Sequence, residues 1–189
     1  MVGRWSVSSR PLLRSSEHNI LNKMTSPSVL KNRDKAKWTI LRNKQYEFLE
    51  RFLPSAGRAL DIGAGPQQFI ELTKRFDLTA VDIQPFEGIT QAVDLEKGLP
   101  FPDNSFDVVI STNTFEHIHN VDNLIEECFR VLKWRGVLVG STPFFLQLHQ
   151  EPYDFRRFTI YELEKMFKEA GFRDIKIEPL GTARDAYWQ

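Results

Sequence analysis

Cysteine and long apolar runs are nearly absent from this sequence of 189 residues. Its single cysteine, Cys128, can form no internal disulfide and cannot build a cysteine-rich zinc site, a pattern typical of a reducing compartment. No segment approaches the roughly 20 consecutive apolar residues that cross a bilayer, and the N-terminal residues lack the apolar core of a secretory signal. We therefore expect a cytoplasmic protein with no membrane span.

Net charge is absent as well, because 25 basic side chains balance 25 acidic ones. This sum hides a polarised chain, since residues 1–58 carry a net charge of +8 and residues 59–189 a net charge of −8. Residues 1–33 lack apolar periodicity, so we expect a flexible basic arm there. Residues 34–189 have the length and apolar content of a single domain.

The apolar pattern of this domain alternates between helical and extended periods. A stripe with helical spacing predicts an N-terminal helix over 34–53, and later helices are expected over 66–76, over 121–134 up to a stop at Gly136, and from Thr159 onward. Between the helices lie six apolar runs typical of strands. This order predicts an α/β fold, namely a doubly wound, mostly parallel sheet with helices on both faces.

Acidic residues and glycines follow the predicted strands at the edge where such sheets bind ligands. Asp61 ends the first of these strands, and Gly63 and Gly65 then allow a tight turn and the close approach of a ligand. Asp82 ends the next strand, where a carboxylate can accept both hydrogen bonds of a ribose diol. Asp94 ends the third and can accept from an exocyclic amine. Together they favour a neutral or cationic nucleoside over a polyphosphate.

Five segments carry a more specific signal. They are Leu60–Gly65, Ala80–Asp82, Leu99–Val109, Phe115–Ile118 and Arg130–Gly136. In this order they resemble the motifs of class I S-adenosyl-L-methionine (SAM)-dependent methyltransferases of the type 11 group, over roughly residues 35–180. The resemblance implies a Rossmann-like methyltransferase fold and SAM as the cofactor.

By position, the resemblance assigns residues of a cofactor-binding half, 58–113, to parts of SAM. These are Asp61, Gly63 and Gly65 at the methionine moiety, Asp82 at the ribose, Asp94 with Leu95 at the adenine, and Asn113 at the amino group. The sequence departs from the family at the third glycine of the loop, where it has Gln67 and then Gln68. Side chains there limit how closely the backbone can approach a ligand.

Candidate catalytic residues fall in a substrate-side half, 114–189. A neutral imidazole can accept a proton from a hydroxyl near pH 7, so His117 and His149 are candidates, together with Tyr153. The last two lie in a polar segment, 149–159, that resembles one found in many type 11 methyltransferases. Two interpretations stay open: a wall of the acceptor site, or a loop tethered by an ion pair of Asp154 with a nearby arginine.

The function predicted from these features is methyl transfer by in-line displacement to a small-molecule or glycan- or lipid-linked acceptor, with oxygen as the expected atom. Two alternatives stay open. An NAD-dependent dehydrogenase also uses a glycine loop, although Gln68 stands where its fingerprint has glycine. The other is a catalytically inactive SAM-binding module.

Other partners are less favoured by the sequence. No Pro-Cys nucleophile or Asn-Pro-Pro-aromatic segment follows the fourth strand, which argues against nucleic-acid acceptors. We expect no metal, because no histidine pair at metal spacing has a third ligand nearby. The family's seventh strand is an antiparallel return between the fifth and sixth. Only residues 181–189 remain to form it here, so we expect it to be missing or shortened and a homodimer to cover the exposed edge.

Overall fold

The computed structural model describes residues 2–9 and 39–181, and they form one seven-stranded sheet flanked by helices. The strands are β1 (Val2–Ser8), β2 (Arg58–Ile62), β3 (Asp77–Asp82), β4 (Gln91–Ala92), β5 (Phe106–Thr112), β6 (Leu132–Pro143) and β7 (Arg173–Leu180). The helices are α1 (Ile40–Phe52), α2 (Ile70–Thr73), α3 (Val121–Val131) and α4 (Ile160–Glu169). Short 3₁₀ turns lie at Leu95–Lys97 and Phe115–His117.

The sheet has the order β4-β3-β2-β5-β6-β1-β7. Strands β2 to β6 pair in parallel, while β1 runs antiparallel to both of its neighbours. The parallel strands are buried on both faces, which explains why they are continuous apolar runs in the sequence. In β5, for example, Val108 and Ile110 pack with α1 and α2, whereas Val109 packs with α3 and α4. The predicted doubly wound α/β fold is confirmed.

The prediction of a flexible arm over 1–33 is wrong for the beginning of this segment. Val2–Ser8 forms β1 and lies between β6 and β7, the place expected for an antiparallel return strand. Trp5 and Val7 alternate with polar residues along β1 and enter the core beside α3 and α4. Residues 10–38 and 182–189 lie outside the described part of the chain, so the prediction for the rest of the arm and for a C-terminal strand remnant stays untested.

β1 brings the number of strands in the sheet to seven. Its residues were not predicted to form a strand. The expected homodimer depended on an open edge at this place. Because β1 pairs with β6 and β7 along most of its length, that argument for a dimer no longer applies.

Three helices also differ from the prediction in their bounds. The helix expected over 34–53 is α1, which begins at Ile40 with Thr39 as its N-cap. The expected helix over 66–76 is reduced to α2, since Gln67 adopts a positive φ of 50° that interrupts a helix. Helix α3 ends at Val131 and β6 begins with the next residue, so Gly136 lies within a strand and does not stop the helix. The helix expected from Thr159 onward is α4, which Thr159 caps, because its hydroxyl accepts from the Glu162 amide at 3.1 Å.

None of the helices in the described ranges is long and apolar enough to cross a membrane.

Trp5 is expected to be a major contributor to stability. It is fully buried and stacks on Phe115 with ring centroids 5.0 Å apart. Replacing it in Trp5→Ala should lower the free energy of unfolding by about 3–5 kcal/mol, because the cavity cannot close completely. Chemical denaturation measures this change.

Trp134→Ala is the matched control, since Trp134 is 62% exposed. We expect this variant to lose about 1 kcal/mol or less. Equal losses in the two variants would contradict a structural role for β1.

Candidate active site

A glycine turn connects β2 to α2 at the carboxyl edge of the sheet. Gly63 and Gly65 have positive φ values of 62° and 51°, which glycine adopts at little cost. A Cβ on Gly63 would collide with the side chain of Thr114, whose hydroxyl donates to the Ile62 carbonyl at 3.2 Å. A Cβ on Gly65 would meet no atom within 4 Å. One face of the turn therefore packs on the segment after β5, while the other is open.

The departure at the third glycine position has a structural consequence. Gln67 takes the left-handed conformation that glycine would favour there, and its side chain donates to the Gly88 carbonyl at 2.6 Å. This hydrogen bond directs the longer side chain toward the loop after β3.

Asp61 is a buried carboxylate without a full set of partners. Its Oδ1 atom is buried and has no hydrogen-bond partner in the described structure. Burial, and secondarily the charge of Asp82, raises the pKa of Asp61 to about 7. A buried, unpaired acceptor next to an open backbone turn suits a cationic ligand with N–H donors, which fits the amino group of SAM.

The other two acidic residues are held by local hydrogen bonds. Asp82 accepts from the Gly65 amide through Oδ2 and from the Gln84 amide through Oδ1, both at 2.9 Å. Asp94 accepts from the Glu96 amide and pairs with Lys97 at 3.0 Å, and these contacts lower its pKa. Each carboxylate has further acceptor capacity for a ligand, so both remain suitable for the ribose and adenine positions.

Asn113 lies at the same edge, after β5, and has a positive φ of 53°. Gln45 of α1 donates both to the Asn113 side chain at 3.2 Å and to the Ser141 hydroxyl at 2.9 Å. The sequence analysis did not identify Gln45, which is a buried polar residue within the apolar face of α1. A glutamine at a core-facing position of a helix was the available signal.

A second polar cluster, which we call the Glu116 cluster, comprises Glu116, His117 and His149. Each residue offers one atom that could bind a metal ion, and these atoms lie within 4.8 Å of one another. The centroids of the two imidazole rings are 4.9 Å apart. Glu116 is completely buried, which raises its pKa to about 8. Its Oε2 accepts from the Thr142 hydroxyl at 3.2 Å, whereas Oε1 has no partner among the described residues.

The tautomer of His117 follows from its contacts. Its Nδ1 lies 2.8 Å from the Tyr153 carbonyl oxygen, which can only accept, so Nδ1 carries the hydrogen. Burial also lowers the pKa of this imidazole, which leaves Nε2 as an unprotonated acceptor. That atom is buried, has no hydrogen-bond partner in the part of the chain that the structure describes, and lies 3.7 Å from Glu116 Oε1.

The segment 149–159 closes over the Glu116 cluster and is tethered to it. The Phe155 amide donates to the Glu116 carbonyl at 2.9 Å. Arg157 donates to both oxygens of Asp154, which holds the pKa of that carboxyl far below its usual range. Asp154 Oδ2 in turn lies 3.1 Å from His149 Nδ1. The interpretation as an ion-paired tether is confirmed, and Arg157 is the arginine involved.

The structure brings the sequence-predicted residues together in two groups. Asp61, Gly63, Gly65, Asp82, Asp94, Leu95 and Asn113 follow neighbouring strands at one sheet edge. His117 and His149 meet in the Glu116 cluster, whereas the Tyr153 side chain is exposed and only its carbonyl contacts the cluster. The sequence analysis missed Glu116 as a site residue and, with it, the third ligand whose absence argued against a metal.

Comparisons with known proteins agree with this geometry. A family described as "Methyltransferase domain" (type 11) matches residues 60–140. An uncharacterised protein of Methanocaldococcus jannaschii is 29% identical over 72% of this chain and 74% of its own length. Phosphoethanolamine N-methyltransferase 1 of Arabidopsis thaliana is 30% identical over 70% of this chain, which spans only 32% of that relative.

Among solved structures, a SAM-dependent methyltransferase of Archaeoglobus fulgidus superimposes with a TM-score of 0.58. It is 24% identical, and the match covers 70% of each chain. Residues 60–140 therefore match the type 11 methyltransferase domain family, and the chain is similar there to SAM-dependent methyltransferases. SAM is the cofactor of this family.

The two glycines of the turn are expected to respond differently to the same substitution. Gly63→Ala places a methyl group 2.6 Å from Thr114 Cγ2 and should destabilise the protein by about 2–4 kcal/mol through overpacking and backbone strain. Gly65→Ala meets open space, so its stability should fall only by about 1–2 kcal/mol from the positive φ.

SAM affinity separates the two roles further. The new methyl group of Gly65→Ala would fill the open face of the turn, and calorimetric titration should show a loss of about tenfold or more in affinity. Unchanged SAM binding by a folded Gly65→Ala protein would place the cofactor elsewhere.

Asp61 should make stability depend on pH. Its folded pKa of about 7 exceeds the ordinary value of 3.8, so the folded state keeps a proton that the unfolded state releases between these values. The free energy of unfolding therefore falls as pH rises through this window. The parent loses this stability and Asp61→Asn does not. The free energy of unfolding of Asp61→Asn minus that of the parent should therefore rise by about 2 kcal/mol from pH 5 to pH 8.

Denaturant titrations at several pH values measure this difference. Asp77→Asn, which removes an exposed carboxylate of β3, is the control for the loss of one negative charge. A constant stability difference between Asp61→Asn and the parent at all pH values would contradict the raised pKa.

Proposed function

We propose that this protein is an O-methyltransferase that transfers the methyl group of SAM to a hydroxyl of a small-molecule or glycan- or lipid-linked acceptor, with the acceptor oxygen at the Glu116 cluster. The observation that supports this most directly is that the cofactor turn and the Glu116 cluster lie next to each other. Thr114, which packs on Gly63 of the cofactor turn, precedes Glu116 by two residues. Donor and acceptor regions thus share one short segment after β5.

On the donor side, the proposal assigns Asp61, with Gly63 and Gly65, to the methionine moiety of SAM. Asp82 holds the ribose, Asp94 and Leu95 hold the adenine, and Asn113 meets the amino group. The bound cofactor supplies a methyl group activated by its positively charged sulfur. The chain's contribution is to align this methyl group with the acceptor and to exclude water.

On the acceptor side, the imidazoles of His117 and His149 polarise the acceptor hydroxyl. Bound SAM would supply its methyl carbon to this oxygen, and the electron pair of the broken sulfur–carbon bond would stay on sulfur. The hydroxyl proton leaves to solvent on the side of His149, which is the most exposed side chain of the cluster. Tyr153 lies at the rim of the site.

Apolar side chains beside the cluster support an acceptor with an apolar portion. The segment after β6 exposes several large apolar residues, namely Phe144, Phe145, Leu146, Leu148, Tyr153 and Phe155. Contiguous exposed apolar surface is typical of a binding surface. A lipid-linked acceptor, or a small molecule with an aromatic or aliphatic part, would cover this surface.

Ligand-dependent unfolding tests the cofactor assignment. SAM and S-adenosylhomocysteine should raise the melting temperature in proportion to the logarithm of their excess, because they bind only the folded state. NAD should not, and Asp82→Ala should lose the response to SAM. The exposed Asp122→Asn variant on α3 is the control. Stabilisation by NAD alone would contradict the proposal and favour a dehydrogenase.

Transfer of an isotopically labelled methyl group to a panel of alcohols, phenols and amines tests the reaction. We expect labelled methyl ethers, with a rate about 10²-fold lower in His149→Ala. Labelled N-methyl products would overturn the choice of oxygen. SAM binding without turnover on any acceptor would favour an inactive binding module.

A cytoplasmic location, consistent with the buried thiol of Cys128, is part of the same proposal.

A further inference from the structure

We propose that the Glu116 cluster binds one divalent transition-metal ion, with Zn²⁺ as the best-fitting ion, through Glu116 Oε1, His117 Nε2 and one nitrogen of His149. This inference rests on the proposed function, because it states how the cluster acts on the acceptor oxygen. It replaces the expectation of no metal, which depended on the lack of a third ligand near a histidine pair.

The first observation is a pair of buried acceptors that face each other without a donor between them. Glu116 Oε1 and His117 Nε2 lie 3.7 Å apart, and neither has a hydrogen-bond partner in the described structure. That separation is too long for a hydrogen bond between them. A zinc ion at about 2.0–2.1 Å from each ligand in tetrahedral geometry would place two ligand atoms roughly 3.4 Å apart. The observed distance is close to this value.

The second observation is the set of contacts behind each ligand. His117 donates through Nδ1 to the Tyr153 carbonyl at 2.8 Å, and Glu116 Oε2 accepts from Thr142 at 3.2 Å. His149 Nδ1 lies 3.1 Å from a carboxylate oxygen of Asp154, which leaves Nε2 as its ligand atom. Metal-binding histidines usually donate their other nitrogen to a carbonyl or carboxylate in this way, which fixes the tautomer and the ring orientation.

The ligand types indicate the ion. Two imidazoles and one carboxylate are a set that catalytic zinc sites use, whereas Mg²⁺ prefers oxygen ligands. Three protein ligands leave at least one coordination position open. An acceptor hydroxyl bound there would lose its proton to solvent more easily, because the ion stabilises the resulting oxygen anion. The polarisation of the acceptor would then be carried out by the ion that the two histidines hold.

Metal analysis of the purified full chain tests the inference. We expect the metal-free protein to take up one Zn²⁺ per chain, and Co²⁺ in its place to give the visible absorption of a four-coordinate site. Glu116→Gln and His149→Ala should each weaken Zn²⁺ binding by at least tenfold. His119→Ala is the matched control, since this exposed histidine lies two residues from His117 and outside the cluster.

The outcomes separate this inference from the proposed function. No saturable uptake of Zn²⁺ or Co²⁺ would overturn the metal site, and so would equal losses in His119→Ala and His149→Ala. SAM binding by the metal-free protein, measured by calorimetry, tests the cofactor site independently. If SAM binds and methyl transfer to hydroxyls proceeds at the same rate with and without metal, the proposed function stands and the metal inference fails.

Discussion

The pairing of β1 with β6 and β7 is the constraint on which the rest of the molecule depends. It supplies the antiparallel strand of the sheet from the N-terminal end of the chain. Trp5 extends from this strand into the core, where it stacks on Phe115 and contacts Phe167 of α4. Phe115 begins the short turn that carries Glu116 and His117. The N-terminal strand therefore supports the proposed acceptor side of the site, although none of its residues belongs to the Glu116 cluster.

The polar groups of the site differ in how completely the fold satisfies them. Asp82 and Asp94 accept hydrogen bonds from nearby backbone amides, whereas Asp61 and Glu116 each keep a buried oxygen with no partner among residues 2–9 and 39–181. Leaving such an atom unpaired costs about 1–3 kcal/mol. Asp61 and Glu116 lie on either side of Thr114, where the methyl donor and the acceptor are proposed to meet. Stability lost at these positions is consistent with groups kept ready for ligands.

Several motif residues that suggested the family have a structural role. Arg130 is bound by Glu127 and Asp103 and donates to the carbonyls of Leu99 and Phe101. It thus fixes the segment before β5 against the end of α3. The motifs containing these residues are informative about the fold, while the proposed chemistry depends on the glycine turn and on the residues after β5.

The sequence by itself determined the features that depend on neighbouring residues: the buried parallel strands, the glycine turn, the acidic residues at three strand ends and the helix that starts after Thr159. Each follows from local periodicity or backbone chemistry. Only the tertiary structure decided that Val2–Ser8 completes the sheet and that His149 meets Glu116 and His117. Both features join segments far apart in the chain, and their free energy comes from strand pairing and shared burial, which no local pattern encodes. The net charge of zero likewise did not indicate that residues of the basic N-terminal segment enter the core.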